Sequence, residues 1–309
     1  MPKLNVQQNN QNVIQAFKNA LAIGNLKGII ASDGSHNFST AGSNRNLLDN
    51  PWFTVNQRSA TTVTLNGTEA YITDRWIAGS FGTYTHNSDN TITITCPNST
   101  AFAGLTQRID PIYMGGTYTY SVRLSDDTVI SLQGTMPSGS GLNVYNITIN
   151  GVSWQALFRS DGSAYWITLR CNVANATLTV KAAKLELGSV STLANDAPPE
   201  LSIARIPCYE NHLRLKGQYA PVGYAIALST TLALLAIPTP VPMRIAPTPS
   251  LSGTLYFNAG TPFAITSVQN PTLGVNQVMI QVVGTFDTGK VYLAQFRDAN
   301  SYLDLSADL

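Results

Sequence analysis

The chain has 309 residues, enough for about two domains, and 44% of them are hydrophobic, enough for sizeable cores. Only 11% are charged, where globular domains average about 25%, and the net charge is +1. A protein that binds nucleic acid needs a stripe of Lys and Arg to replace the counterions of the phosphates, and no such run occurs here. We therefore expect no nucleic-acid partner.

The cysteines and the apolar segments indicate the cellular compartment in which the protein folds. Cys96, Cys171 and Cys208 are odd in number and far apart, so we expect reduced thiols that pack as small hydrophobes. The chain starts with polar residues and shows no apolar signal-peptide core. Residues 222–237 are uncharged, but this segment is too short for a membrane span and runs into Pro238. It is predicted to be buried β-strand, and no membrane span is expected.

Residues 8–26 show the one helical pattern in the chain. Val13, Phe17, Ala20 and Leu21 recur at helix-face spacing, and the opposite face is polar. So short a helix is marginal alone and needs a partner for its apolar stripe. The functional interpretation is that the helix docks to another protein or bundles with copies of itself. The alternative is that it packs on the chain's own domain. Residues 31–46 follow as a turn-rich linker, so residues 1–45 are predicted to form an N-terminal helix and linker.

After residue 46 the hydrophobic period changes to two, which is typical of strands that are half buried. Turn clusters such as 87–90, 137–141 and 160–162 separate the strands, and this pattern favours an antiparallel sandwich. The alternating segments are 91–95, 118–124, 144–149, 165–169 and 176–187. We predict a mainly β protein, with a jelly-roll β-sandwich over residues 46–197.

A break at residues 195–200 is marked by two prolines that cannot continue a strand ladder. More strands follow it, so residues 198–309 are predicted to form a second, smaller and distal β domain. Its predicted strands are 219–235, 251–257, 278–286 and 291–296.

Residues 284–290 resemble two catalytic motifs without completing either. Their spacing is that of a phosphate-binding loop, but Val291 stands where Ser or Thr should bind magnesium. They also contain Asp287-Thr288-Gly289, yet the chain has no second copy to form an aspartic-protease pair. We predict that these residues form the turn of a two-stranded hairpin.

Other residues with catalytic or metal-binding chemistry are isolated. His36, His86 and His212 have no metal-ligand spacing, and His36 and His86 are expected to be solvated. Asp126-Asp127 is expected to be a solvated turn and not an acid/base pair. We therefore predict a protein that is not an enzyme and needs no metal or other cofactor.

Aromatic side chains are the remaining candidates for a binding site, since Trp and Tyr faces often hold sugars and peptides. Trp154, Tyr165 and Trp166 lie on or near strands, close to turns. Tyr165 and Trp166 are adjacent, so on a strand they point to opposite faces and one should face outward. Core packing is the alternative for each, and Trp52, Phe53 and Trp76 are assigned to the core.

Six segments, in order along the chain, resemble landmarks of a bacteriophage tail-fibre and appendage protein family. They are LLDNPWF at 47–53, NQR at 56–58, DRW at 74–76, KLELGS at 184–189, IPCYE at 206–210 and PVPMRIAPTP at 240–249. The aromatic run that the family carries near the fifth segment is thinner here. Together the segments span most of the chain.

The resemblance implies a jelly-roll module akin to carbohydrate-binding modules, homotrimeric assembly and a place on a virion made in the bacterial host cytoplasm. It supplies no catalytic residues, because the landmarks look structural; Arg75, for instance, is expected to pair with Asp74 or Glu69. The resemblance does not distinguish a head fibre from a tail fibre.

The resulting hypothesis is a virion fibre subunit that adheres to a host-surface glycan or protein and contacts other virion proteins through its N-terminus. Three weak sites on one trimer would gain avidity without new contacts. Two alternatives remain: a fibre-borne polysaccharide depolymerase, and a purely structural decoration or connector protein.

Overall fold

A computed structural model describes residues 31–32, 38–39, 45–109, 116–258, 263–265, 267–274 and 276–307. The predicted attachment helix with Val13, Phe17, Ala20 and Leu21, and also His36, lie outside the described residues. Short strands β1 and β2 pair with one another inside the segment that was predicted to be linker.

The described part is mainly β, as predicted. It contains one α-helix, α1 (Leu201–Asn211), and one 3-10 turn at Leu193–Asn195. The strands are β1 (Ala31–Ser32), β2 (Phe38–Ser39), β3 (Thr62–Asn66), β4 (Ala70–Thr73), β5 (Trp76–Ala78), β6 (Phe81–His86), β7 (Ile92–Thr95), β8 (Ala103–Ile109), β9 (Thr117–Leu124), β10 (Val129–Thr135), β11 (Gly141–Ile149), β12 (Val152–Ser160), β13 (Tyr165–Cys171), β14 (Thr177–Leu187), β15 (His212–Lys216), β16 (Pro221–Ala227), β17 (Leu232–Pro238), β18 (Thr248–Ser252), β19 (Leu255–Asn258), β20 (Phe263–Ile265), β21 (Val268–Gly274), β22 (Gln277–Val283), β23 (Val291–Phe296) and β24 (Tyr302–Ser306).

Two six-stranded antiparallel sheets form the predicted β-sandwich. The front sheet has the order β11-β12-β13-β8-β5-β4, and the back sheet has the order β10-β9-β14-β7-β6-β3. Successive side chains of a strand point to opposite faces, so every second residue enters the core between the sheets. Trp76, Tyr84, Trp154 and Phe158 are among the largest side chains buried there. Trp52, Phe53 and Trp76 are buried, as predicted.

The outer face of the back sheet is partly covered by the chain itself. Leu193 of the 3-10 turn packs on Trp52 and Ala182. Lys184, fully buried on β14, lies with its Nζ 3.0 Å from Asp196 Oδ2 and donates to Thr192 Oγ1 at 2.7 Å. A buried ammonium needs such partners, so the segment after β14 is held firmly against this sheet.

A second, separate hydrophobic cluster is built by the later strands. A three-stranded sheet (β15-β24-β18) and a seven-stranded sheet (β20-β19-β23-β16-β17-β22-β21) contribute to it. Residues 222–237, predicted to be buried strand, form two paired strands, β16 and β17, joined by a turn. The prediction of burial is wrong for one face, because residues such as Tyr224 and Ile226 alternate with the buried ones and are exposed. Among the described residues, no helix is long and apolar enough to cross a membrane.

Helix α1 was not predicted, because only strands were expected beyond residue 198. It contains Pro207 in its interior, which the sequence rules treat as a helix breaker. Its buried residues Ala204, Cys208 and Asn211 recur at spacings of four and three, so the helical pattern was present but weak.

The predicted hairpin at residues 284–290 is wrong, although the turn itself is present. Lys290 N donates to Asp287 O at 3.0 Å, and Gly289 takes φ +80°, which a glycine adopts without steric cost. The flanking strands β22 and β23 are not neighbours, because β16 and β17 lie between them in the sheet. The turn therefore belongs to a connection that crosses the end of another hairpin.

The first three family-like segments form one hydrogen-bonded cluster. Asn50 Nδ2 donates to Asp74 O at 2.9 Å, and Arg58 Nη1 lies 3.2 Å from Asp74 Oδ1. Arg75, which was expected to pair with Asp74 or Glu69, lies with its Nε 3.0 Å from Asp49 Oδ2. These residues hold the loop before β3 against the start of β5.

Candidate ligand-binding groove

The strand register of the front sheet places its outward-facing side chains in three rows across the sheet. Residues opposite one another on neighbouring strands have Cβ atoms only about 5 Å apart. The first row is Leu142, Arg159, Trp166 and Arg108; the second is Val144, Leu157, Thr168, Thr106 and Ile77; the third is Asn146, Gln155, Arg170 and Gly104.

A groove with a volume of about 430 Å³ lies along these rows. Its lining combines aromatic, apolar, hydroxyl and cationic side chains, which is the mixture found in sites for small polar ligands. The residues that line it are Glu69, Ile77, Gly79, Ser80, Phe81, Ala101, Phe102, Gly104, Thr106, Leu157, Arg159, Trp166, Thr168 and Arg170.

Trp166 lies between two arginines of the first row. The guanidinium carbon of Arg159 is 4.8 Å from the indole centroid, and that of Arg108 is 5.8 Å from it. Cations at these distances are attracted by the negative face of the ring. Arg159 is on β12 and Arg108 on β8, so the half-buried indole on β13 has a cation on each side.

Arg170 is held at the other end of the groove. Its guanidinium carbon lies 3.9 Å from the Phe102 ring centroid, and its Nε donates to Gln155 Oε1 at 3.1 Å. Partial burial lowers the pKa of Arg170 from its ordinary value, because the charged form loses hydration there. The guanidinium still stays charged, so it presents a fixed positive charge to the groove.

The floor of the groove is lined by residues with short side chains, two of which carry hydroxyl groups. Thr106 and Thr168 lie opposite one another with their hydroxyl oxygens 2.9 Å apart. Next to them, Gly104 permits a close approach of β8 and β13, since a Cβ at this position would lie 2.5 Å from Leu169 O. The backbone N of Gly104 donates to Tyr84 Oη at 2.8 Å, so the floor is anchored in the core.

Tyr84 is locked in this position from both sides. Its hydroxyl donates to Phe81 O at 2.7 Å while it accepts from Gly104. Burial raises the pKa of Tyr84 to about 12, because the phenolate would lose its hydration. Tyr84 therefore remains a neutral structural support under the groove over the physiological pH range.

The groove is cationic overall. Arg159 and Arg170 line it and Arg108 stands beside it, while Glu69 is the one carboxylate among its lining residues in the described part. Asp161 lies near Arg108, but its pKa is lowered mainly by hydrogen bonds from the backbone of Ser163 and Ala164, which keep it in its own turn. An anion is therefore the charge type that the groove favours.

Two of the three predicted ligand-binding aromatics are not in the groove. Trp154 and Tyr165 are 1% and 2% exposed and lie between the sheets, because they occupy inward positions of β12 and β13. Their faces are covered by core side chains and are closed to a ligand in this structure. Trp166 faces outward, as the alternation argument requires for one of the adjacent pair, and it lines the groove.

The groove arginines and Phe102 were not singled out from the sequence. Arg108, Arg159 and Arg170 come from three strands and become neighbours only through the strand register. The one signal available was an arginine at a polar position in each of three alternating strands. Nothing in the sequence indicates which strands pair.

The residues considered above for catalysis or metal binding have structural roles. Asp126 and Asp127 form the exposed turn between β9 and β10, as predicted, and Lys181 Nζ lies 2.6 Å from Asp127 Oδ1. His86, expected to be solvated, is instead half buried with its Nε2 2.8 Å from Phe53 O. Within the described ranges, no three residues of the His, Cys, Asp and Glu types are grouped to hold a metal ion.

The cysteines are placed as the sequence suggested. Cys96, Cys171 and Cys208 are all buried thiols outside any disulfide, and Cys208 packs with Val55 and Ala204. Burial raises the pKa of the Cys96 thiol to about 12, so it is a poor nucleophile.

No protein-family model matches the chain. No curated protein matches it either.

Proposed function

We propose that the protein is a structural subunit of a bacteriophage head or tail fibre that adheres to a host-surface glycan through the front-sheet groove. The observation that carries this proposal is Trp166, an outward-facing indole in an open groove that also offers hydroxyl and cationic side chains. Sugar rings pack their apolar faces on aromatic rings, while hydroxyl and charged groups around the ring fix their orientation. Trp166, Thr106, Thr168 and the arginines supply both kinds of contact.

The finer architecture in this proposal is a jelly-roll module similar to carbohydrate-binding modules. Two antiparallel six-stranded sheets around one core support it. The contrast between the sheets also supports it, because the back sheet is partly covered by residues 188–196 while the front sheet carries the groove.

Homotrimeric assembly is part of the proposal and is supported by an open apolar face on the seven-stranded sheet. The apolar residues of this face are brought side by side by the register of β16, β17, β22 and β23, with one polar residue, Gln281, opposite Leu234; they are Tyr224, Ile226, Leu232, Leu234, Val283, Val291 and Leu293. Tyr224, Ile226 and Val291 are 65%, 45% and 56% exposed. The outward positions of these four strands carry no charged residue. A contiguous apolar face of this kind is typical of an interface, and we assign it to other copies of the chain.

The remaining parts of the proposal concern attachment and location. Residues 8–26, with Val13, Phe17, Ala20 and Leu21, would attach the subunit to other virion proteins. The buried thiols support folding in the reducing cytoplasm of the bacterial host before incorporation into the virion.

A glycan array tests the adhesive function against its alternatives. We expect the protein to bind at least one bacterial surface glycan, and Trp166→Ala to abolish that binding without loss of the fold. Trp154→Ala is not a suitable control, because Trp154 is a core residue; Tyr219→Ala, an exposed aromatic outside the sandwich, is. New reducing ends from a host polysaccharide would identify a depolymerase instead. A wholly negative array would favour a connector protein.

A further inference from the structure

Positive charge is concentrated on the outward face of the front sheet. The chain has 18 Lys and Arg against 17 Asp and Glu, so its overall charge is nearly balanced. Arg108, Arg159 and Arg170 nevertheless occupy outward positions on three adjacent strands, and Glu69 is the one carboxylate that lines the groove among the described residues. Two strand spacings of about 4.8 Å separate β12 from β8, so Arg159 and Arg108 rise from backbones about 10 Å apart.

Most of the hydrogen-bond donors of these arginines are not used within the described part of the chain. Each guanidinium carries five N–H donors. Arg170 uses Nε–H on Gln155, while Arg108 and Arg159 make ring contacts to Trp166 and their side chains form no hydrogen bond or ion pair with another described residue. The stacking on Phe102 and Trp166 orients the guanidinium groups without consuming their donors. They are therefore preorganised to receive an acceptor.

The spacing and chemistry select the acceptor. A planar guanidinium pairs in a bidentate way with a carboxylate or a phosphate, and an indole provides apolar surface for the carbon skeleton of a sugar. A ligand of one or two sugar units spans the distance between the arginines. A long polyanion such as a nucleic acid would need cations along an extended path, and here they lie within one groove.

We propose that the groove binds an acidic saccharide that packs against Trp166, with carboxylate or phosphate groups paired by Arg159 at one end and Arg170 at the other. This inference rests on the proposed glycan-binding function and names the class of glycan. A neutral sugar would leave the arginines without partners, so the groove should prefer an acidic saccharide over a neutral one.

The test is calorimetric titration of the full chain with acidic oligosaccharides and their neutral counterparts. The probes are uronate and sialate oligosaccharides with their methyl esters, and phosphorylated oligosaccharides with their dephosphorylated forms, so the two anion types are distinguished. We expect at least one acidic probe to bind about tenfold or more tightly than its neutral counterpart, and its affinity to fall with added salt.

Variants assign the effect to the groove. Arg159→Gln and Arg170→Gln should each weaken binding of the acidic probe by about tenfold and leave the neutral counterpart almost unchanged. Arg159→Lys keeps the positive charge but loses the planar guanidinium that pairs in a bidentate way, so it should weaken binding of the acidic probe less than Arg159→Gln does. Arg297→Gln is the matched control, because Arg297 also stacks on an aromatic ring, that of Tyr256 at 4.8 Å, but lies outside the sandwich.

The outcomes separate this inference from the proposed function. Equal binding of acidic and neutral probes, or loss of binding in Trp166→Ala but not in the arginine variants, would overturn the acidic class and leave glycan adhesion standing. No binding by any probe, together with a negative glycan array, would overturn both. Competition by single-stranded oligonucleotides as effective as that by the acidic saccharide would show a general polyanion site and overturn the inference.

Discussion

The side-chain amide of Gln57 in the sandwich hydrogen-bonds the backbone of Arg214 in the C-terminal region. Its Oε1 accepts from Arg214 N at 3.2 Å, and its Nε2 donates to His212 O at 2.8 Å. Arg214 in turn donates from Nη1 to Arg58 O at 2.7 Å. One short segment, residues 56–58, therefore joins the loop before β3 to strand β15.

Gln57→Ala should destabilise this junction. It removes the two hydrogen bonds to the backbone of this junction and a third from Nε2 to Asp74 Oδ1, so we expect a loss of about 1–3 kcal/mol in the free energy of unfolding. Urea unfolding measured by fluorescence would show it, with the C-terminal strands separating from the sandwich at lower denaturant. Gln133→Ala is the control, because Gln133 makes a single exposed bond to Ser189 O. Equal effects of the two substitutions would mean that the junction adds nothing to the free energy of unfolding.

Stability should fall in acid because of Asp304. Burial opposes ionisation of this carboxyl, but the two hydrogen bonds from Arg214 and the nearby His212, whose Nε2 lies 3.4 Å from Oδ1, outweigh burial and lower its pKa to about 2. Its ordinary pKa is near 4, so the unfolded chain takes up the proton first. The stabilisation, about 2 kcal/mol, is present above pH ~4 and is lost as the pH falls from ~4 through ~2.

Asp304→Asn should remove this part of the pH dependence, so the difference in unfolding free energy between it and the wild type should shrink below pH ~4. Asp287→Asn, which changes an exposed turn carboxylate, serves as the control and should also leave glycan binding intact. A constant difference between the wild type and Asp304→Asn from pH ~6 to ~2 would contradict the assignment.

Several features of the fold followed directly from local sequence patterns. Alternation separated Tyr165 from Trp166 correctly, because strand geometry forces adjacent side chains to opposite faces. Asp126-Asp127 and Asp287–Lys290 were recognised as turns from their residue types. These are properties of a few consecutive residues.

Features that depend on distant pairing were missed. The turn at Asp287 was placed in a hairpin because nothing local shows that β16 and β17 insert between β22 and β23. Trp154 was grouped with Trp166, although its register on β12 turns it inward. The arginines of the groove come together only through strand pairing, which a single sequence does not reveal.

Introducing a charge on the open apolar face should break self-association. Ile226→Lys places an ammonium at the centre of this face, where burial against another copy would cost several kcal/mol. Light scattering should give three times the monomer mass of 33.2 kDa for the wild type and the monomer mass for the variant. Val173→Lys, at an exposed apolar residue of the sandwich, is the control. A wild type of 33.2 kDa would contradict trimer formation.

A fragment that starts at residue 46 should fold like the whole chain. Asn46 Nδ2 donates to Ala183 O at 3.0 Å and Leu47 N to Leu185 O at 2.8 Å, so this start keeps the first contacts with β14. Its melting temperature should stay within a few degrees of that of the full chain, while incorporation into virions fails. Phe17→Asp should impair incorporation in the same way. An insoluble or unfolded fragment would show that residues 1–45 belong to a domain core.

Hydrogen exchange with and without the bound saccharide tests the central claim most directly, because it needs no substitution. The probe is the glycan that binds most tightly on the array. We expect slower exchange in peptides from β8, β12 and β13, the strands that carry Arg108, Arg159, Trp166 and Arg170, and unchanged exchange in β16, β17, β22 and β23. Protection confined to the seven-stranded sheet, with none on β8, β12 and β13, would contradict the assignment of the front-sheet groove as the binding site.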